Sequence, residues 1–225
     1  MLNQRLLACA DFVQGNFICD VGTDHALLPV YLVQKQIAEK ALACDIRQGP
    51  LQAAEKNISQ AGLTDKIRMI LSDGLLSVPP EGITDIIIAG MGGETIIHIL
   101  ENCPFSLEKI NFIFQPMTKA ELLRKWLFEN GFAIQNEICV PDKKFLYAVM
   151  QVRFTGNVII PDGKNMYFGK MNLSDENGLA YAKNQAAHLI RIRMERYFRE
   201  GKNPPSELND SINSMLTAIK EYDKN

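Results

Sequence analysis

Three carboxylates stand where three apolar runs stop. Asp20 lies in Phe17-Ile-Cys-Asp-Val21 and is followed by Gly22-Thr23-Asp24. Asp45 closes Lys40-Ala-Leu-Ala-Cys-Asp45, and Ser72-Asp73-Gly74 follows Ile67-Arg-Met-Ile-Leu71. A fourth run, Asp85-Ile-Ile-Ile-Ala89, leaves through Gly90-Met91-Gly92-Gly93. Buried strands ending in short polar turns are what an open α/β sheet offers at its carboxyl edge, where such sheets bind ligands. Carboxylates at that edge accept hydrogen bonds and attract cations. They suit a ligand with hydroxyls and an ammonium better than one with phosphates.

Each acid has a candidate task. Asp20 and Asp24 flank Gly22 and Thr23, and can meet cationic groups. Asp45 falls where an acid past the glycine turn caps the second strand and accepts from ribose hydroxyls. It could equally cap the helix expected from Pro50 to Ala61, with Ile46-Arg-Gln-Gly49 between them. Asp73, before Gly74, can accept from an exocyclic amine, or can serve only as a turn residue. Gly90, Gly92 and Gly93 allow close approach to the backbone. The helix expected over Glu94 to Glu101 aims free N–H groups at the same edge.

These features discriminate between cofactors. A dinucleotide turn needs G-x-G-x-x-G so that pyrophosphate can rest on the helix N-terminus. Here Asp24 and Ala26 occupy positions where small or uncharged residues are expected. A carboxylate beside a pyrophosphate in a partly desolvated site would cost several kcal/mol. S-adenosyl-L-methionine carries no phosphate. Asp20 and Asp24 can face its cationic groups, Asp45 its ribose and Asp73 its adenine amine, each charge-assisted bond contributing roughly 1.5–3 kcal/mol.

The elements that must position these groups follow from periodicity. A short amphipathic helix over residues 2–13 precedes the first strand, with Arg5 on its polar side as a solvated charge or a ligand contact. The first turn runs into a helix from His25 to about Lys35. A fifth strand, Asn111 to Gln115, leads to Pro116-Met-Thr118, where Thr118 can cap a helix from Lys119 to Glu129. Phe132–Cys139 and Phe145–Phe154 form an antiparallel pair across Pro141-Asp-Lys-Lys144. This makes residues 1–156 one α/β domain with a Rossmann-like seven-stranded sheet. Residues 157–225 are a loop to Met171 and then an antiparallel helical hairpin. Its first helix, capped by Ser174, offers Leu179, Ala182, Ala186, Ile190, Met194 and Tyr197. Its second offers the heptad seam Leu208, Ile212, Met215, Ile219 and Tyr222. Gly201-Lys-Asn-Pro-Pro205 joins the two helices. Between Lys183 and Lys202, the basic residues Lys183, Arg191, Arg193, Arg196, Arg199 and Lys202 oppose only Glu195 and Glu200. That stripe can contact phosphates.

Bulk properties narrow the class. The chain has 225 residues, 47% of them apolar, and a formal net charge of −2, which excludes a wholly basic nucleic-acid binder. Its five cysteines form no C-x-x-C pair and its three histidines are dispersed, so no metal is expected and free thiols in a reducing compartment are. No signal sequence or membrane-length apolar run is legible. A cytoplasmic monomer is expected.

The runs Asp20-Val-Gly-Thr-Asp-His-Ala26, Ile88-Ala-Gly-Met-Gly-Gly93 and Gln115-Pro-Met-Thr118 closely resemble the bacterial tRNA (adenine-N1)-methyltransferases that modify the adenine at tRNA position 22. The resemblance covers nearly the whole chain. It implies a class I methyltransferase domain using S-adenosyl-L-methionine, a tRNA substrate, and a coiled-coil hairpin that helps bind tRNA. The general methyltransferase pattern E/D-x-G-x-G-x-G is not kept, since Asp24 and Ala26 replace its later glycines. The D/N-P-P-Y motif of exocyclic-amine methyltransferases gives way to Ala89-Gly-Met-Gly92. The expected site therefore has Asp24, His25, Met91 and Gly92 at the target base. Asp20, Gly22, Thr23, Asp45, Ile46, Asp73, Gly74, Ala89 and Gly90 are expected at the cofactor. Arg5, Gln115, Lys183, Arg191, Arg193, Arg196 and Arg199 are expected at the RNA. A methyltransferase of another RNA or of a protein, or a non-catalytic binder of the cofactor, are the alternatives.

Overall fold

A computed structural model describes residues 2–200 and 205–222. Of the turn expected over 201–205, only Pro205 lies within them, and Lys202 lies outside. The strands are β1 (Phe17–Val21), β2 (Lys40–Asp45), β3 (Ile67–Leu71), β4 (Asp85–Gly92), β5 (Asn111–Thr118), β6 (Phe132–Asp142) and β7 (Phe145–Phe154). They form one sheet in the order β3-β2-β1-β4-β5-β7-β6. The first five strands are parallel, and β7 runs antiparallel between β5 and β6. The chain builds outward from β1 to β3, then returns to place β4 on the other side of β1. Ligand clefts open at that reversal.

The sheet is covered on both faces, which is why its central strands read as unbroken apolar runs. Alternate residues feed two cores. Cys19, Ile86, Ile88, Phe112 and Phe114 pack with Ile96 and Leu100 of α4 (Gly93–Glu101) and Leu123 and Leu127 of α5 (Ala120–Glu129). Ile18, Ile87 and Ile113 pack against the other face. There they meet Cys9 of α1 (Gln4–Asp11), Leu28 and Leu32 of α2 (Leu27–Gln34), and Ala54 and Ile58 of α3 (Gln48–Gln60).

Four local expectations need correction. The helix after the first turn starts at Leu27 rather than His25, because Asp24 and Ala26 adopt left-handed backbone, at φ 50° and 53°. Thr118 does not cap α5. It still belongs to β5, and Lys119, at φ 56°, makes the turn without a side-chain cap. The stretch expected as loop to Met171 contains α6 (Gly163–Tyr167), capped by Asp162, whose Oδ1 accepts from the Asn165 N–H at 2.7 Å. Asp175, not Ser174, caps α7 (Glu176–Glu200), accepting from the Gly178 N–H at 2.9 Å.

α7 packs with α8 (Ser206–Tyr222) through Ala182, Ala186 and Leu189 against Ile212, Met215, Ala218 and Ile219. The expected seam fades after Ile190, since Met194 and Tyr197 are exposed, as is Phe198. The C-terminal segment is locked to the sheet domain by a buried ion pair. Arg124 of α5 donates to Glu137 of β6 at 2.8 and 2.9 Å, to the Met166 carbonyl at 2.9 Å and to the Tyr181 hydroxyl of α7 at 3.1 Å. Glu137 also accepts from the Lys170 N–H at 2.8 Å.

Candidate active site

Two clefts meet at the carboxyl ends of β1, β2 and β4. The first, about 390 Å³, is lined by the first turn, by Asp45 and Ile46 after β2, by Asp73 and Gly74 after β3, and by Ala89, Gly90 and Met91. The second, about 360 Å³, runs from the first turn to α1 and includes Asp20, Thr23, Asp24, His25 and Arg5. Gly22, Asp24, Arg47, Ala89 and Gly90 line both.

The first turn keeps a glycine-type backbone without the glycines. Gly22, Asp24 and Ala26 all have positive φ, at 76°, 50° and 53°. The φ of Gly22 is what calls for glycine, because a Cβ there would meet only the terminal methyl of the flexible Met91 side chain, which can shift. Asp tolerates left-handed backbone because its short polar side chain can bond locally, whereas Ala26 is held there against a preference of roughly 1 kcal/mol. The turn is tied to β2, as the Gly22 and Thr23 N–H groups both donate to the Cys44 carbonyl at 2.8 Å. The close approach foreseen at Gly93 is internal. A side chain there would strike the Lys119 carbonyl, so this glycine lets α4 seat against the β5–α5 turn.

Asp20 is buried and accepts from the Thr23 hydroxyl at 2.7 Å. Burial pushes its carboxyl up to about 6, with the Asp45 charge adding and the Thr23 hydroxyl opposing. The folded carboxyl keeps its proton to a higher pH than the unfolded one. Its contribution to stability is therefore full below the ordinary value of 3.8 and is lost as pH rises through about 6. At neutral pH the ionised group costs the fold on the order of 1–3 kcal/mol. Asp20→Asn is expected to raise the unfolding free energy by about that amount at pH 7.5, and by little at pH 4, measured by urea titration at both.

Asp45 does not cap α3. Its Oδ1 accepts from the Arg47 N–H at 2.9 Å, bracing the turn before the helix, and Oδ2 makes no bond to any described residue. Asp24 and His25 are exposed at the cleft mouth, with Asp24 Oδ2 3.6 Å from His25 Nε2. Met91 lines the first cleft, but Gly92 lines neither and serves as the N-cap residue of α4. Gln115 is a correction. It is fully buried, with Oε1 accepting from Arg5 Nη1 at 2.6 Å and the Gly90 N–H at 3.2 Å, so it offers no surface to RNA. Arg5 is likewise no solvated charge, being bonded to Asp142 at 2.7 Å and mostly buried. Arg191, Arg196 and Arg199 are exposed on α7 with Lys183, and Arg193 is half-buried. Sequence reasoning missed Arg47, Ser72, Thr95, His98 and Ile99 in the first cleft. The last three sit within one turn of α4, and their helical spacing after the glycine exit was the available signal.

The arrangement is an acid-lined cleft at a sheet reversal, entered over a glycine-rich turn. Residues 2–150 match the family model described as a methyltransferase domain. Over the full length, the chain superposes on the M. capricolum TrmK structure holding S-adenosyl-homocysteine. The TM-score is 0.79 and the identity 31%, with 98% of each chain covered. The chain belongs to the TrmK family of methyltransferases. It is 34% identical over 151 residues to the tRNA (adenine(22)-N(1))-methyltransferase of Bacillus subtilis, a match spanning 66% of this chain and 63% of that protein. The Streptococcus pneumoniae protein Sp1610 in complex with S-adenosyl-L-methionine superposes with a TM-score of 0.82 at 31% identity, covering 97% of this chain and all of that one. The methyltransferase fold expected from the sequence, its antiparallel edge included, is the fold observed.

Proposed function

We propose that the chain, as a cytoplasmic monomer without a metal, methylates N1 of an adenine in tRNA, at the position equivalent to 22, using S-adenosyl-L-methionine. The observation that carries the proposal is the placement of Asp20, Asp45 and Asp73 around two joined clefts. The donor set fits the cofactor. Asp45 Oδ2, bonded to no described residue, can accept from ribose hydroxyls, Asp73 beside Gly74 can accept from an adenine amine, and Asp20 and Asp24 can hold an ammonium or lie near a sulfonium. The same acids would repel a pyrophosphate.

When bound, S-adenosyl-L-methionine supplies an electrophilic methyl group whose sulfur leaves as a neutral thioether when adenine N1 bonds the carbon. The protein need not deprotonate N1, whose lone pair lies in the ring plane. Its tasks are to extrude the base from the RNA and to hold it in line, which can supply ~7–11 kcal/mol. Asp24, at the mouth of both clefts, and His25, at the mouth of the second, meet the base, while Met91 and the backbone at Gly90 form its floor. Asp24 offsets the positive charge that the methylated base acquires and can accept an N6 proton. Lys183, Arg191, Arg193, Arg196 and Arg199 on α7 attract the tRNA backbone.

Asp24→Ala would confound chemistry with backbone, because alanine disfavours φ 50°. Asp24→Asn keeps a residue that tolerates the conformation. It is expected to lower single-turnover methylation at saturating cofactor at least tenfold. A near-normal rate would remove Asp24 from the chemistry. Because Asp20 must be ionised to hold a cation, affinity for S-adenosyl-homocysteine should also fall as pH drops through about 6. The function itself is tested by mass spectrometry of tRNA from cells lacking the gene. Loss of N1-methyladenosine from tRNA, restored by the parent but not by Asp24→Asn, is expected. Unchanged tRNA with a methyl group missing from rRNA or a protein would redirect the assignment.

A further inference from the structure

The tip of the β6–β7 hairpin stands at the carboxyl edge of the sheet, yet no residue of it lines either cleft. β7 is antiparallel to both β5 and β6, so β6 ends on the same edge as β5. Pairing continues out to Asp142 and Phe145, leaving a two-residue turn of Lys143 and Lys144. Both lysines are exposed, and neither pairs with an acid among the described residues. Lys143 takes left-handed backbone, at φ 55°, where glycine or asparagine is easier. Phe145 is 54% exposed, although a phenyl ring stabilises a fold mainly when buried.

This tip is braced against the wall of the second cleft. The Phe145 and Tyr147 ring centroids lie 6.2 Å apart, and the Tyr147 centroid lies 5.2 Å from the guanidinium carbon of Arg5. Asp142 Oδ2 accepts from Arg5 Nε at 2.7 Å, and Arg5 lines the second cleft. An exposed ring beside two ammonium groups is chemistry for unstacked nucleotides, since every base has a face to stack and every nucleotide carries a phosphate. Lys144 Nζ lies 5.3 Å from the Phe145 ring centroid. Such a contact is weak at an exposed site, so a base can take the ring face while the ammonium turns to a phosphate. Extruding an adenine also unstacks the bases beside it. A ring fixed next to the cleft mouth can replace the stacking they lose.

The geometry points to the hairpin tip as an RNA contact separate from α7, in which Phe145 stacks on a base adjacent to the target adenine and Lys143 and Lys144 hold its phosphates. This rests on the reading of the chain as a tRNA methyltransferase. Binding of unmodified tRNA transcripts to the full chain, saturated with S-adenosyl-homocysteine and titrated at several salt concentrations, tests it. Phe145→Ala should weaken binding about 5–100-fold with an unchanged salt dependence, and Phe145→Tyr should bind like the parent. Lys143→Asn combined with Lys144→Gln should lower the slope of log affinity against log salt by about 1.5. Transcripts lacking the base on one side or the other of the target adenine locate the contact. On one of them the parent should lose the factor that Phe145→Ala loses, and Phe145→Ala less than twofold more. Affinity for S-adenosyl-homocysteine and the melting profile should stay those of the parent in every variant. Parent-like tRNA binding by Phe145→Ala would overturn the proposal, as would additive losses on both base-deleted transcripts. Weakened S-adenosyl-homocysteine binding or a lowered melting temperature alongside the loss of tRNA would make the tip merely structural and also overturn it. No tRNA binding by the parent would sink the tRNA reading itself, and the proposal with it.

Discussion

Glu137→Ala is expected to lower the unfolding free energy by about 3–5 kcal/mol. Neither the Glu137 nor the Arg124 side chain has any solvent exposure, and among the described residues Glu137 is the only carboxylate bonded to Arg124. Burial works against the Arg124 charge, but Glu137 and Tyr181 outweigh it and hold the guanidinium protonated. Removing Glu137 leaves that cation buried among the Met166 and Tyr167 carbonyls and the Tyr181 hydroxyl, which cannot balance a full charge. The Lys170 N–H loses its acceptor as well. Because the pair joins α5 and β6 to the start of the C-terminal segment, amide exchange in α6 and α7 should accelerate more than in β1 or β4. A double replacement, Arg124→Met with Glu137→Leu, should recover most of the stability, since apolar residues of similar size often replace a buried pair at little cost. Chemical denaturation of the parent and the two variants checks the ranking. A loss under 1 kcal/mol for Glu137→Ala would show that the pair does not hold the fold.

Asp45→Ala is expected to weaken binding of S-adenosyl-homocysteine by about 100-fold or more. Two ribose hydroxyls donating to one ionised carboxylate contribute roughly 1.5–3 kcal/mol each. The cost to the fold is smaller, about 1 kcal/mol, for the brace to the Arg47 N–H. A second consequence distinguishes this variant from a general weakening. The Asp45 charge helps keep the Asp20 carboxyl raised. Removing it should move the pH midpoint for residual ligand binding below that of the parent. Calorimetry between pH 5 and 8 gives both quantities. Unaltered affinity would place the ribose elsewhere.

The sheet was legible because burial on both faces writes itself as runs such as Ile86-Ile-Ile-Ala89, and β1, β2, β3 and β7 fall where those runs fall. The acids at strand ends were legible for the same reason, as polar residues that interrupt an apolar pattern at fixed places. The backbone of the first turn was not. A left-handed residue is announced by glycine, and Asp24 and Ala26 adopt that conformation without being glycine. The bonds to the Cys44 carbonyl, the bond from the Asn57 amide to the His25 carbonyl and the packing of Ala26 enforce it. Arg5 was misread because its partners lie 110 and 137 residues away, and a residue on the polar side of a helix gives no sign of them. Gln115 was misread in the same way, since a glutamine ending a strand looks available until its oxygen is found already taken. The hairpin seam was extrapolated past Ile190 by period alone, yet Met194, Tyr197 and Phe198 remain exposed.

The measurement closest to the central claim is transfer of labelled methyl from S-adenosyl-L-methionine to unmodified tRNA transcripts, with the adenine equivalent to position 22 present or replaced by guanine. Labelled N1-methyladenosine on the first transcript and none on the second is the predicted result. Equal labelling of both, or none on either despite measurable cofactor binding, would contradict the account.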